Sequence, residues 1–273
     1  METPHIAFIG AGNMASSIIG GLLSSGHPAS KISAADPFPD SLSALQAKAP
    51  VAVFTDNAQA VADADVVIMA VKPQIMAQAT ESIAAAVQDN GSVVISIAAG
   101  VTIANMQQRL GADAAVVRCM PNTPALLGCG ASALFGNDQV SEIQRAHAER
   151  ILAAVGITTW VTSEADLDAI TALSGSGPAY FFLFMEAMID AAGELGLDRE
   201  TATLMTQQTA LGAARMAIES DVDLKELRRR VTSPAGTTEA AIQSFENENL
   251  RSVVQQAMQA AQARAIEMAR EMG

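Results

Sequence analysis

The chain has little with which to perform acid–base or metal chemistry. Its only histidines are His5, His27 and His147, and none stands where a strand is expected to end in a loop. Its two cysteines, Cys119 and Cys129, have no ligand partners at metal spacing and no neighbouring base. Neither a metal site nor a thiol nucleophile is therefore expected. Aromatics make up 4% of the 273 residues, with a single Trp and a single Tyr. Positive charge is scarce too. Sixteen Lys and Arg against 29 Asp and Glu leave a net charge of −13, which argues against nucleic acid and anionic membrane as partners. No apolar run reaches membrane-spanning length, and the nearest, from Tyr180, meets Glu186 and Asp190. Pro4-His5 leads directly into an apolar run, so no signal peptide is expected. Two thiols in such a chain are expected to stay reduced, which fits a cytoplasmic home.

What is present is small and apolar. Half of the residues are hydrophobic, enough for a sizeable core and two domains. The organising stretch is Ile6-Ala7-Phe8-Ile9-Gly10-Ala11-Gly12-Asn13-Met14-Ala15. An apolar run breaks at two glycines, and Met14, Ile18 and Leu22 then recur at helical spacing up to Ser24-Ser25-Gly26. This is the strand, tight turn and helix start of a dinucleotide-binding βαβ unit. Gly10 permits the turn, Gly12 lets the backbone approach a pyrophosphate, and Ala15 asks only for close helix–strand packing. The helix N-terminus offers free N–H groups to the phosphates.

The pattern repeats. Lys31–Ala35, Val66–Met69, Val93–Ile97 and Val116–Cys119 read as strands, several wholly apolar as in a parallel sheet buried on both faces. Helical segments at 75–87 and 103–110 separate them, and Ala131–Phe135, a helix near 142–155, and Ile157–Val161 extend the region. Together these predict an α/β fold: a doubly wound Rossmann domain over residues 1–163 with its ligand crevice at the strand carboxyl ends. Residues 164–273 show no strand pattern and are expected to be all-helical. Tyr180–Leu195 is apolar on nearly every helical face and should be buried all round. So much apolar helix points to burial shared with a partner subunit, although a self-contained bundle would answer the same pattern.

Candidate chemistry falls in loops. Asp36, about 20 residues beyond Ala15, stands where a carboxylate would accept hydrogen bonds from an adenosine ribose; an Asp-Pro turn would equally use it. Lys72, in Ala70-Val71-Lys72-Pro73, lies along a cofactor or in solvent. Ala98-Ala99-Gly100 leaves room for a flat ring. Met120-Pro121-Asn122-Thr123-Pro124 holds an amide on a stiff loop, and Leu173-Ser174-Gly175-Ser176-Gly177-Pro178-Ala179 reads as a linker or as a ring of small donors. Pro178 suits a first helical position. Ser233-Pro234-Ala235-Gly236-Thr237-Thr238 precedes another helix, whose N–H groups and hydroxyls suit either a carboxylate or ordinary capping. Arg228-Arg229-Arg230 reads as a solvated helix face. The oxidation of an alcohol needs a base, which these loops lack. Reduction of an already protonated cyclic imine needs only orientation.

On these motifs the chain resembles the pyrroline-5-carboxylate reductase family along its whole length. The likeness is carried by residues 8–15, 70–73 and 120–124, and most specifically by Thr171–Tyr180 and Val231–Thr238. It implies NADPH- or NADH-dependent reduction of 1-pyrroline-5-carboxylate to L-proline, the last step of proline biosynthesis, without a metal. It also implies a C-terminal helical dimerisation domain, with dimers that assemble as five into a decamer. Carried over, the cofactor lies along Ile9, Gly10, Ala11, Gly12, Asn13, Met14, Ala15, Asp36, Asn57, Ala70, Val71, Lys72, Pro73 and Ala98. The substrate carboxylate sits on Ser233, Gly236, Thr237 and Thr238, with Thr238 supplying or relaying the imine proton. Ser176 and Asn122 border the nicotinamide.

Two departures stand out. The family's usual Gly-Gly before the threonines is Ala235-Gly236 here, which costs about 1 kcal/mol or more if position 235 needs a positive φ. Asp36 should repel a 2′-phosphate, so NADH use is expected alongside NADPH or instead of it. Two alternatives remain on sequence. One is a β-hydroxyacid dehydrogenase, whose catalytic lysine would fall at Phe181; the other is a dinucleotide-responsive binding protein without turnover.

Overall fold

The computed structural model describes residues 3–272. It divides into two compact units, one of residues 1–176 with 260–273 and one of residues 177–259.

The first unit alternates strand and helix: β1 (Ile6–Ile9), α1 (Asn13–Ser24), β2 (Ile32–Ala35), α2 (Pro39–Gln46), β3 (Ala52–Phe54), α3 (Asn57–Val61), β4 (Val66–Met69), α4 (Met76–Asn90), β5 (Val93–Ser96), α5 (Ile103–Leu110), β6 (Val116–Met120), β7 (Gly130–Gly136), α6 (Glu142–Ala153), β8 (Gly156–Trp160) and α7 (Asp166–Ile170). The eight strands form one sheet in the order β3-β2-β1-β4-β5-β6-β7-β8. The first six are parallel in the Rossmann order. The link from β6 to β7 is too short for a helical crossover, so β7 runs antiparallel to β6. β8, reached through α6, is parallel to β7.

Alternation along each strand builds two cores. Ile6 and Phe8 pack with Ile18, Leu22, Ile68 and Leu152 on one face. Ala7 and Ile9 pack with Val67, Met69, Ile83 and Met106 on the other. Each fully buried Ile, Leu or Phe contributes roughly 1.5–3 kcal/mol, so this sheet is the rigid element that carries the loops. Sequence missed α2, β3 and α3. β3 is only three residues long and partly exposed, which leaves no apolar run to detect. α3 starts on Asp56, whose side chain accepts the Ala58 N–H at 3.0 Å.

The second unit contains α8 (Gly177–Glu194), α9 (Arg199–Glu219), α10 (Leu224–Arg230) and α11 (Thr237–Asn247), with the first turns of α12 (Leu250–Met272). The last turns of α12 belong to the first unit, where Met268 packs against Gly100. Asp198 and Asp223 cap α9 and α10 through N–H bonds of 2.9 and 2.8 Å. The Arg228–Arg230 run is a solvated face, with Arg229 and Arg230 paired to Glu226.

One expectation needs correction: α8 is not buried all round. Phe181, Phe182 and Leu183 are 71%, 59% and 66% exposed within the single chain. Phe184 is 45% exposed and pairs with the Phe245 ring, centroids 6.0 Å apart. Leu204, Met205, Leu211 and Met216 of α9 are also exposed. Apolarity on every face says that a helix will be covered, not that its own chain does the covering, and so wide an apolar surface marks an interaction site. Among the described residues no helix is long and apolar enough to cross a membrane.

Candidate active site

The dinucleotide cradle lies at the carboxyl end of β1. Gly10 has φ +101°, and a Cβ there would stand 2.6 Å from the Ala70 carbonyl oxygen. Gly10 N–H donates to Ala35 O at 2.7 Å and Ala70 N–H to Ile9 O at 2.8 Å. The turn is thus pinned between β2 and β4. Gly12 is the N-cap of α1 and makes no side-chain cap, so the first N–H groups of the helix lack intrahelical acceptors. A Cβ on Gly12 would meet nothing within 4 Å. An open approach, unspent donors and a positive dipole end fit a pyrophosphate. Behind it, Met14 and buried Ala15 pack into the core.

The other loops assigned to a cofactor follow β2, β3, β4 and β5, so the topology brings them to the same edge of the sheet. Asp36 fills its turn role. Its Oδ1 accepts the Phe38 N–H, and its Oδ2 accepts the Ala11 N–H of the glycine turn, each at 2.9 Å. An ionised carboxylate has about four acceptor positions, so both oxygens keep one for a ligand. Asn57 begins α3 and donates from Nδ2 to Ser82 Oγ at 2.9 Å. Lys72 is exposed and makes no ion pair among the described residues. Ala98 is buried, with its N–H 3.3 Å from Ser96 Oγ.

Asn122 does not present a free amide. Its Nδ2 donates to Ser174 O at 3.0 Å, and its Oδ1 accepts the Ala131 N–H at 2.9 Å. Nor is the stretch after Leu173 an open linker or a fresh helix start. α7 runs on through a π-helical turn, Thr171–Gly175, into α8. The Ser176 N–H is spent on Thr171 O at 2.8 Å. Ser176 still stands at the end of that turn.

In the second unit, Gly236 is the N-cap of α11, with no side-chain cap. The capping reading therefore fails for the hydroxyls of Thr237 and Thr238, which stay exposed. Gly236 N–H is taken by Ser233 O at 3.0 Å. That leaves the helical N–H groups of Thr237, Thr238 and Glu239 to face a ligand. Sequence missed Glu239, whose Oε2 accepts the Ala235 N–H at 2.7 Å. Its signal was present, since a Glu three residues past an N-cap commonly reaches back to the preceding backbone. Ala235 takes φ +56°, the left-handed region.

The histidines and Cys119 sit outside these loops. His27 is buried and held below its usual range by desolvation and by Arg150. His147 is lowered likewise. Burial pushes the Cys119 thiol up to about 12. Among the described residues no group of three or more His, Cys, Asp and Glu is placed to hold a metal ion.

Comparison with known proteins extends this geometry. A family model described as pyrroline-5-carboxylate reductase dimerisation matches residues 164–268, and one described as NADP oxidoreductase, coenzyme F420-dependent, matches residues 5–100. A pyrroline-5-carboxylate reductase of Pseudomonas aeruginosa is 54% identical over 273 residues, covering 100% of both chains. The chain belongs to the pyrroline-5-carboxylate reductase family. A solved reductase from Coxiella burnetii superposes with a TM-score of 0.95 at 45% identity, covering 98% of this chain and 99% of that one. A Plasmodium falciparum pyrroline carboxylate reductase, solved with NADP bound, gives 0.86 at 28% identity, with 98% and 99% covered. Membership in the reductase family decides against the β-hydroxyacid dehydrogenase alternative, and Phe181 occupies the position where that chemistry would want its lysine. It also accounts for the apolar faces of α8 and α9, which lie within the dimerisation match.

Proposed function

We propose that this chain reduces 1-pyrroline-5-carboxylate to L-proline, the last step of proline biosynthesis. One observation carries most of the weight: α11 starts on a glycine with no side-chain cap, which leaves adjacent N–H groups and two threonine hydroxyls for a carboxylate. When bound, NADH or NADPH supplies the hydride. Its pyrophosphate would be held by the Gly10–Ala15 turn. Asp36, Asn57, Ala70, Val71, Lys72, Pro73 and Ala98 line its path. Thr237 and Thr238 hold the substrate carboxylate, with Ser233 and Gly236 beside them. Ser176 borders the reacting ring.

The hydride adds to the imine carbon while the nitrogen takes a proton, and Thr238 is the candidate to supply or relay it. The protein's task is orientation and a well-placed donor, which explains how the loops manage without a histidine. Asp36 favours a ribose with free hydroxyls, so NADH serves as well as NADPH or in its place. The same reading has the chain act as a homodimer, with five dimers forming a decamer. It works in the cytoplasm, with no metal, nucleic acid or membrane partner. The apolar α8 and α9 faces support the dimer and the net charge of −13 supports the last exclusions; the ring of five rests on family likeness alone.

The test is loss of absorbance from NADH or NADPH on adding pyrroline-5-carboxylate, with proline assayed as product. No oxidation of either cofactor defeats the proposal and favours a dinucleotide-responsive binding protein. Thr238→Ala is expected to lower kcat/KM about tenfold or more, the scale of a lost acid–base or charged hydrogen-bond partner, with dinucleotide affinity intact.

A further inference from the structure

We propose that Asn122 is a positioning residue. Its side-chain amide clamps the π-helical turn Thr171–Gly175 to the carboxyl edge of the sheet, and so sets where Ser176 stands. This deepens the reductase reading, and rests on it for the role of Ser176.

The need for a clamp is written in the chain. In an α-helix Ser174 O would accept the N–H of the residue four further on. That residue is Pro178, which has none. The Ser174 carbonyl is part-buried, where a missing donor still costs stability, and Asn122 Nδ2 supplies one at 3.0 Å. The amide's orientation follows from its two bonds: only NH2 can face Ser174 O, and only the carbonyl oxygen can face the Ala131 N–H. One side chain thus ties together the turn after β6, the first residues of β7 and the π turn.

The backbone around Asn122 suits that duty. Pro121 and Pro124 stiffen the loop on either side, and Asn122 itself is extended at φ −137°, ψ 167°. The turn also approaches the sheet closely. A Cβ on Gly175 would lie 2.6 Å from Met120 Cε, the movable tip of a side chain at the end of β6. Thr171 and Ser174 return their hydroxyls to Leu167 O and Ile170 O, at 2.7 and 3.2 Å. With these hydroxyls satisfied inside the helix, the Ser174 carbonyl accepts a side-chain donor from outside it. Single π turns recur at functional sites, and this one ends at Ser176.

The test compares Asn122→Ala and Asn122→Asp with the wild-type enzyme. Asp keeps the acceptor for Ala131 and loses the donor for Ser174. For both variants kcat is expected to fall about 10-fold to 100-fold, the scale of a small misplacement in an active site, while Kd for NADH and NADPH stays within about twofold. Replacing Pro178 by Ala in the Asn122→Ala background returns an N–H to Ser174 O and is expected to recover part of the lost kcat. A parallel loss of dinucleotide affinity, or a kcat unchanged in both variants, overturns the proposal. Amide exchange reads the clamp without turnover. The Ala131 N–H should be protected in wild type and Asn122→Asp and exposed in Asn122→Ala, and equal protection in all three also overturns it. An inactive wild-type enzyme, by contrast, strikes at the reaction and leaves the exchange result to decide the clamp.

Discussion

Asp36 Oδ2 accepts the backbone N–H of Ala11 at 2.9 Å, joining the end of β2 to the glycine turn after β1. The bond fixes the turn and holds a negative charge at its mouth. A 2′-phosphate brought there meets that charge, whereas a free ribose hydroxyl meets an acceptor. Asp36→Ser should therefore raise the NADPH-to-NADH ratio of kcat/KM about tenfold, equivalent to about 1.4 kcal/mol. Steady-state kinetics with both cofactors reads this. A wild type that strongly prefers NADPH, or a ratio unmoved by the change, removes Asp36 from cofactor choice.

Gly10 and Gly12 should separate folding from binding. A Cβ on Gly10 meets the Ala70 carbonyl oxygen at 2.6 Å and carbon at 2.9 Å, with φ at +101°. Both atoms belong to the backbone just past β4, where the Ala70 N–H is held by Ile9 O, and cannot easily give way. Gly10→Ala should cost about 2–4 kcal/mol, seen as a lower denaturant midpoint. Gly12→Ala meets nothing within 4 Å at φ −73°. It should leave stability within about 0.5 kcal/mol and weaken dinucleotide binding, because its methyl enters the approach to the α1 amides. Equal effects on stability would refute the distinction.

The parts of the fold legible in sequence were those whose signal is local. Val66–Met69 and Ile103–Leu110 were read to the residue, because a buried parallel strand and an amphipathic helix each announce themselves within one element. β3 lies at the sheet edge with three residues and gave no such signal. The direction of β7 follows from a link too short for a crossover, which has no residue signature of its own. At the site, glycine spacing revealed the cradle, since the chemistry is in the backbone. The partners of Asn122 were not legible for the opposite reason. Its partners, Ser174 and Ala131, lie 52 and 9 residues away, and only the folded chain shows that its amide is already spent. The exposure of α8 within the single chain agrees with the reading that so much apolar helix is shared with a partner subunit.

His27 gives the protein a pH-dependent stability. Desolvation first, then the Arg150 guanidinium 3.4 Å from Nδ1, hold its pKa below 6.5. His147 is lowered by burial and Arg150, against a smaller pull from Asp65. As pH falls through 6.5, the unfolded chain binds protons at these positions before the native one does, so stability drops with acidification and is full above that range. Asp168 is raised, chiefly by burial against the pull of Arg118. Its contribution has the opposite sign and belongs to a more acidic window. Melting temperature should therefore decline between pH 7.5 and 5.5, and His27→Gln should flatten the decline. A profile of unchanged slope in the variant would clear His27 of the effect.

Ala235 is the place where this chain departs from a glycine pair, and its φ of +56° puts an L residue in the left-handed region. That conformation costs a non-glycine residue roughly 1–2 kcal/mol. The Ala235 N–H bond to Glu239 Oε2 at 2.7 Å and the Gly236 N–H bond to Ser233 O hold it in place. Ala235→Gly relieves the strain but adds freedom to the unfolded chain, worth about 0.5–1 kcal/mol. The two nearly cancel, so the variant should fall between neutral and about 1 kcal/mol more stable. Ala235→Val, branched at Cβ, should lose more than about 1 kcal/mol and raise KM for pyrroline-5-carboxylate, because the distortion passes directly to the α11 N-terminus. Chemical denaturation and KM for the three proteins read both effects. If Ala235→Gly instead destabilised by about 1 kcal/mol, as glycine does in ordinary helix or strand backbone, the loop would not be strained at residue 235.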